Sequence, residues 1–167
     1  KKKQVKEKAT ETIREIHNNT GSHEPQKGGN SKKLPVLIAA SEAQPFAVTG
    51  GLGEVIGSLP KAIMAEDNGM FDVRVVLPLY ESIKQEDRAE MEFLGHFNVG
   101  LAWREQYCGV FRLTRENVTY YFIDNEYYFK RSVPYGYYDD GERFAFFSKA
   151  VLDSIHLMDF KPRIIHS

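Results

Sequence analysis

From Leu34 onward the chain changes from an unpatterned polar sequence to one with clear periodicities. Leu34 to Ala40 (LPVLIAA) is a continuous apolar run of strand length, the pattern of a strand buried on both faces. After a short loop, Leu52, Val55, Ile56, Leu59 and Ile63 recur at helical intervals, with Pro60 expected to kink or rearrange that helix. Phe71 to Leu77 (FDVRVVL) reads as a second strand stopped by Pro78. Strand, helix and strand in this order form a βαβ unit, whose right-handed crossover requires a parallel sheet with helices on its faces. Three β-rich runs follow, Phe93 to Trp103, Glu105 to Glu116 and Val118 to Asn125, separated by short polar breaks. They predict an antiparallel insertion feeding back into the sheet. Arg143 to Met158 then carries a helical stripe through Phe144, Phe147, Val151, Ile155 and Met158, and Arg163 to His166 begins another strand. The fold class is therefore α/β, a parallel sheet with helices on both faces and a β-rich insertion.

Before Leu34 the picture differs. Val5, Ala9, Ile13 and Ile16 have helical spacing in a charged background, and His17 to Lys33 (HNNTGSHEPQKGGNSKK) has linker composition. Residues 1–33 are read as a basic polar leader and residues 34–167 as one domain, incomplete at its C-terminus because the last strand stops at Ser167 before delivering a loop. The leader holds nine basic and four acidic residues, the remainder thirteen basic and nineteen acidic, so the folded part carries no basic field. That argues against nucleic acid as a partner, because such affinity comes mainly from phosphate neutralisation. A single cysteine, Cys108, excludes an internal disulfide framework and multi-cysteine metal sites and fits a reducing cytoplasm. No apolar run approaches the ~20 residues of a membrane span, and no signal-peptide core is present.

The chemistry concentrates in Ser41 to Ile63, SEAQPFAVTGGLGEVIGSLPKAI. A dinucleotide fingerprint needs G-x-G-x-x-G; Gly51, Gly53 and Gly57 give one residue too many, and the second strand ends in Leu77 and Pro78 where an acidic ribose ligand would be expected. No Gly-Lys-Ser/Thr follows, which removes the Walker reading. What survives is general. Glycines opening a helix present backbone N–H groups and the positive end of the helix dipole to an anion. Against this stands a plain turn at Gly50 and Gly51 with Thr49 as helix cap. The spacing alone leaves both open.

The same stretch, followed by FDVRVVLPLY, resembles the opening of bacterial glycogen synthases and plant starch synthases, whose usual form is S-E-x-x-P-x-x-K-T-G-G-L-G-D-V. The resemblance continues through YFIDNEYY (Tyr121 to Tyr128), YGYYDDGERFAFFSKAVL and KPRIIHS, and covers about Leu34 to Ser167. It implies the N-terminal, Rossmann-like half of a GT-B glycosyltransferase. Such an enzyme moves glucose from ADP-glucose to the non-reducing end of an α-1,4-glucan with retention of configuration, using neither metal nor cofactor. A C-terminal domain of the same chain supplies the adenosine site, so a fragment alone would be inactive.

By the resemblance, Val48, Thr49, Gly50, Gly51 and Leu52 form the donor-phosphate loop, with Gly50 and Gly51 presenting N–H groups where charge grows as ADP leaves. Val48 stands where the family has lysine, which removes a mobile cation from that loop. Asp140 matches the family aspartate before the Arg-Phe helix, which by the resemblance is catalytic and sits near the transferred glucose or the acceptor, with a helix N-cap as its ordinary alternative. His166 matches the first histidine of a His-rich motif, or is a plain strand-end histidine. Aromatic rings stack on the C–H faces of sugars, which makes Asn125, Tyr127, Tyr128 and Tyr137 candidates for the acceptor glucan. Asp124 and Glu126 beside them suit a cleft lip through hydrogen bonds to sugar hydroxyls. His96, His156, Trp103 and Cys108 are read as packing residues. Two other readings stay open, a non-catalytic glucan-binding relative and a generic nucleotide-binding module.

Overall fold

In the middle of the sheet, Val36, Leu37 and Ile38 on one strand and Val75, Val76 and Leu77 on the next expose 1% of their surface or less. Consecutive rather than alternate burial means that both faces are covered, as the apolar runs predicted. The structure, a computed structural model, describes residues 33–66 and 69–167; the expected leader, apart from Lys33, lies outside the described residues. The elements are β1 (Leu34–Ala39), α1 (Gly51–Glu66), β2 (Phe71–Pro78), α2 (Gln85–Ala89), β3 (Glu92–Leu101), β4 (Arg104–Arg115), β5 (Val118–Asp124), α3 (Glu126–Phe129), α4 (Asp140–Asp153), a 3-10 turn (Ser154–His156) and β6 (Ile164–His166).

They form one six-stranded sheet in the order β3-β4-β5-β2-β1-β6. β5, β2, β1 and β6 run parallel, with Val75 opposite Tyr120, Ile38 opposite Val75, and Ile38 opposite His166. The predicted insertion is the antiparallel edge: β4 pairs back on β5, and β3 on β4. Glu116 and Asn117 join β4 to β5 with φ of 49° and 64°, the left-handed pair required by a two-residue turn that matches strand twist. Ala102, at φ 54°, and Trp103 join β3 to β4.

Side chains alternate across the sheet. Tyr120 and Phe122 meet Phe46 edge-on at 4.9 and 5.0 Å, whereas Tyr121 faces the other way, onto Phe160. Helix α1 buries Ile56, Leu59 and Ile63 and packs on β2; α4 buries Phe146, Phe147, Ala150 and Val151 and packs on β3 and β5. Two expectations about the helices change. Helix α1 runs unbroken through a buried Pro60, and the predicted Arg143 to Met158 helix starts three residues earlier and ends at Asp153. Its buried stripe is Arg143, Phe146, Phe147, Ala150 and Val151, while Phe144 is half-buried against Tyr135. No described helix is long and apolar enough to cross a membrane.

Candidate active site

Because β5, β2, β1 and β6 are parallel, the segments leaving their carboxyl ends meet along one edge of the sheet, where open α/β sheets bind ligands. His166 ends β6, Ser41 to Gly51 follow β1, Leu79 and Tyr80 follow β2, and Asn125 to Tyr128 follow β5. The sequence-selected residues therefore share an edge, but they do different work there.

The glycine loop is held from below by Glu42, 3% exposed. Its Oε2 accepts from the Thr49 amide at 2.5 Å and more weakly from the Gly50 amide at 3.4 Å, and its Oε1 accepts from the Thr49 hydroxyl at 2.7 Å. Burial pushes the Glu42 carboxyl up, but the Thr49 amide and hydroxyl, the Tyr135 hydroxyl and the Gly50 amide outweigh it and hold the group below the usual carboxylate range. Ser41 Oγ and Tyr135 Oη share a hydrogen bond of 2.7 Å beside it. Thr49 is thus a tether to Glu42 rather than simply a helix cap. Val48 and Leu52 flank the loop, each 46% exposed.

The glycines divide into two kinds. A Cβ on Gly57 would lie 2.6 Å from Gln44 Cβ, and one on Gly53 3.0 Å from the Ala47 carbonyl oxygen, so these two are glycine because the loop packs on the helix. A Cβ on Gly50 or Gly51 would meet nothing within 4 Å, and neither residue has the left-handed backbone that favours glycine. Nothing packed within the described chain requires glycine at these two positions. Gly51 also opens α1, where the first amides of a helix have no carbonyl of their own turn to bond.

The second construction is built on Arg143, which is fully buried. Its Nε donates to the Tyr128 carbonyl at 2.7 Å, and its Nη1 to the Pro134 carbonyl at 3.1 Å and to Asp140 Oδ1 at 2.5 Å. The guanidinium carbon sits 5.0 Å from the Tyr137 ring centroid. Asp140 Oδ2 accepts from the Gly136 and Tyr137 amides at 2.7 and 3.2 Å. Burial pushes the Asp140 carboxyl up, and the Gly136 amide, the Arg143 guanidinium and the Tyr137 amide together bring it below its ordinary value. Asp140 is the first residue of α4 and points back into the preceding turn; the cap position is Asp139. There Oδ2 accepts from Arg131 at 2.9 Å while Oδ1 is buried without a partner. Of the two adjacent aspartates, Asp139 is the one with an uncommitted oxygen.

Tyr80 lies between the two constructions. It is 1% exposed, its hydroxyl has no partner, and its titration is pushed up by burial and by Tyr135, with Arg143 opposing and Glu42 and Asp140 adding to the rise. The direct link from the turn to the loop is Tyr135, whose hydroxyl bonds Ser41 and Glu42.

The acceptor candidates separate by exposure. Asn125 is 3% exposed: Oδ1 accepts from the Tyr128 amide at 2.9 Å and caps α3, and Nδ2 donates to the Tyr107 carbonyl at 2.7 Å. Tyr128 is fully buried, donates to Glu142 Oε1 at 2.5 Å, and is pushed up to about 12 by burial and that carboxylate. Tyr137 holds Ser132 at 3.1 Å and lies under Arg131 and Arg143. Tyr127 is 55% exposed and Tyr138 99%. His166 is half-buried at the same edge, paired with Ile38. Among the packing residues, Cys108 is buried and its thiol pushed up to about 12 by burial, but Trp103 is 87% exposed at the β3–β4 tip. His96 lies exposed between Phe93 and Tyr107, stacked at 6.3 and 5.7 Å, and His156 is exposed, edge-on to Phe97 at 5.3 Å. Sequence reasoning missed Glu42, Asp139 and Arg143 as site-builders. Glu42 stands in the quoted S-E-x-x-P motif, and Arg143 and Asp139 in the quoted YGYYDDGERF stretch, so the signal was position within a motif.

Residues 35–167 match the family model described as starch synthase catalytic domain. A glycogen synthase from Clostridium beijerinckii is 55% identical over 133 residues, which is 80% of this chain and 27% of that protein. One from Ligilactobacillus salivarius is 49% identical, again across 80% of this chain and 28% of the relative. Among solved structures, the catalytic domain of starch synthase IV from Arabidopsis thaliana, bound to ADP and acarbose, superposes with a TM-score of 0.71 at 29% identity, covering 81% of this chain and 28% of that one. The chain thus spans little more than a quarter of the proteins it matches. With its sheet, its glycine loop and this match across nearly all described residues, the chain belongs to the starch synthase catalytic domain family.

Proposed function

We propose that the protein carrying this chain is a retaining glucosyltransferase of glycogen or starch synthesis, moving glucose from ADP-glucose to the non-reducing end of an α-1,4-glucan. The observation that carries this reading is the open space at Gly50 and Gly51, which nothing inside the chain requires. A diphosphate approaching there would meet the first amides of α1 and the positive end of its dipole, both aimed at charge that grows as the nucleotide leaves. Glu42 fixes the loop so that little reorganisation is needed. The relative solved with ADP and acarbose supports both ligand classes. The adenosine site and remaining groups belong, in this reading, to a second domain across a cleft, with Tyr127 and Tyr137 on the acceptor side and His166, matching the first histidine of the family's His-rich motif, at the same edge.

The test is glucose transfer from ADP-glucose or UDP-glucose to glycogen by the full-length protein. Elongation with either donor is expected, and none with both overturns the reading. Val48, exposed beside the loop in the usual lysine position, favours one second reading, a glucan-binding relative without turnover. Glucan binding with no transfer, unrepaired by Val48→Lys, would select it.

A further inference from the structure

One hydroxyl joins the two constructions at the sheet edge. The Glu42 carboxylate only accepts, and four described donors reach it: the Thr49 amide and hydroxyl, the Gly50 amide and the Tyr135 hydroxyl. The first three belong to the glycine loop itself, and bonds spanning seven or eight residues close that loop without fixing where it lies. Tyr135 is the donor from outside. It stands in the turn before α4 with both neighbours held: Arg143 Nη1 donates to the Pro134 carbonyl at 3.1 Å, and the Gly136 amide donates to Asp140 Oδ2 at 2.7 Å. Its half-buried ring packs on Phe144, with centroids 5.6 Å apart. Burial pushes its titration up to about 12, with Ser41 opposing and Glu42 adding to the rise, so the hydroxyl keeps its proton, donates to Glu42 and accepts from Ser41 Oγ at 2.7 Å.

We infer that Tyr135 is a positioning residue for the sugar-nucleotide donor, acting through Glu42 to hold the glycine loop in register with the turn before α4. The inference rests on the glucosyltransferase reading above, in which the diphosphate lies at Gly50 and Gly51. A Cβ at either glycine would meet nothing within 4 Å, so the placement of these residues depends on the hydrogen bonds behind them. A site whose donors are free to shift must order them when the ligand arrives, and that ordering is subtracted from affinity. The Tyr135 hydroxyl removes this cost by fastening the loop to a turn that Arg143 and Asp140 already hold. It acts on the donor side alone, because its partners Ser41 and Glu42 both belong to the segment that follows β1.

The test uses the full-length protein with Tyr135→Phe, which keeps the ring on Phe144 and removes only the hydroxyl, with Glu42→Gln, and with both changes. Tyr135→Phe is expected to raise KM for the sugar nucleotide about three- to tenfold, while KM for glycogen and kcat change less than about twofold. In the Glu42→Gln background the same change should add less than about twofold, because the hydroxyl acts through that carboxylate. A donor KM unchanged by Tyr135→Phe, a rise of equal size in both backgrounds, or a rise confined to glycogen overturns the inference and leaves the function reading standing. If glucose is transferred from neither ADP-glucose nor UDP-glucose, that reading fails, and ADP binding by titration calorimetry decides the inference. Weaker ADP binding in Tyr135→Phe, with little further loss in the Glu42→Gln background, supports the link; equal binding, or none by the wild type, overturns it.

Discussion

Two irregular segments at the same sheet edge are each held by one buried charge, and they are held in opposite senses. Glu42 grips the glycine loop by its N–H groups, at Thr49 and Gly50. Arg143 grips the turn before α4 by carbonyls, at Tyr128 and Pro134, while its partner Asp140 takes that turn's amides at Gly136 and Tyr137. The turn is thereby tied through its carbonyls and its amides, while Asp139 Oδ1 and Arg143 Nη2 stay buried without a partner. The loop is satisfied only as far as Gly50 and then passes into a helix N-terminus facing open space.

Removing the cation should break this contrast most severely. Arg143→Met strips three hydrogen bonds from a fully buried site and leaves Asp140 without its ion pair, and should cost about 3–5 kcal/mol by chemical denaturation. A loss under about 1 kcal/mol would show that the turn holds without it.

The anionic grip should cost less and depend on pH. Glu42→Gln is expected to lose about 1.5–3 kcal/mol at neutral pH. The folded carboxyl titrates below its ordinary value, so its contribution is complete above the unfolded value near pH ~4.3 and disappears as pH falls through the folded one. Wild type and variant should accordingly converge in stability under acid conditions, and parallel pH curves would contradict the assignment.

The glycines sharpen the contrast. Gly57→Ala forces a methyl against Gln44 and should destabilise by about 1–3 kcal/mol. Gly51→Ala should change stability by under about 1 kcal/mol yet, on the proposed function, lower glucosyl transfer on the order of 10²-fold by displacing the diphosphate proposed to bind there. If both variants behave alike in denaturation and in transfer, the division of the glycines into packed and open is wrong. The smallest effect is expected from Val48→Lys: a solvent-exposed cation beside the loop should lower KM for the sugar nucleotide about two- to fivefold.

What the sequence made legible follows from physics that is local. The β1–α1–β2 unit announces itself because apolar runs and helical spacing are imposed by burial of each element separately, and the three β-rich runs fell within a residue or two of β3, β4 and β5. Arg143 escaped because a charge on a buried stripe interrupts the pattern by which stripes are found; its counterparts are carbonyls, which no sequence pattern displays. The same limit applies to the glycines. Spacing excluded two ligand motifs, but only the positions of Gln44 and Ala47 separate Gly53 and Gly57 from Gly50 and Gly51. Asn125 and Tyr128 drew attention as an amide and an aromatic near a strand end, where the fold uses them to cap α3 and to hold Glu142. Trp103 was read as a packing residue because it closes an apolar β-rich run; that it sits in the turn itself and is 87% exposed is visible only in the fold.

The mixed sheet also sets an order in time. Its antiparallel edge joins strands that are neighbours in sequence through two tight turns, whereas β1 and β6, paired in the sheet, come from opposite ends of the described chain. Loop closure is cheap for the first and costly for the second, so the β3–β4–β5 meander should assemble early and offer β5 as a template on which β2, then β1, then β6 are laid down.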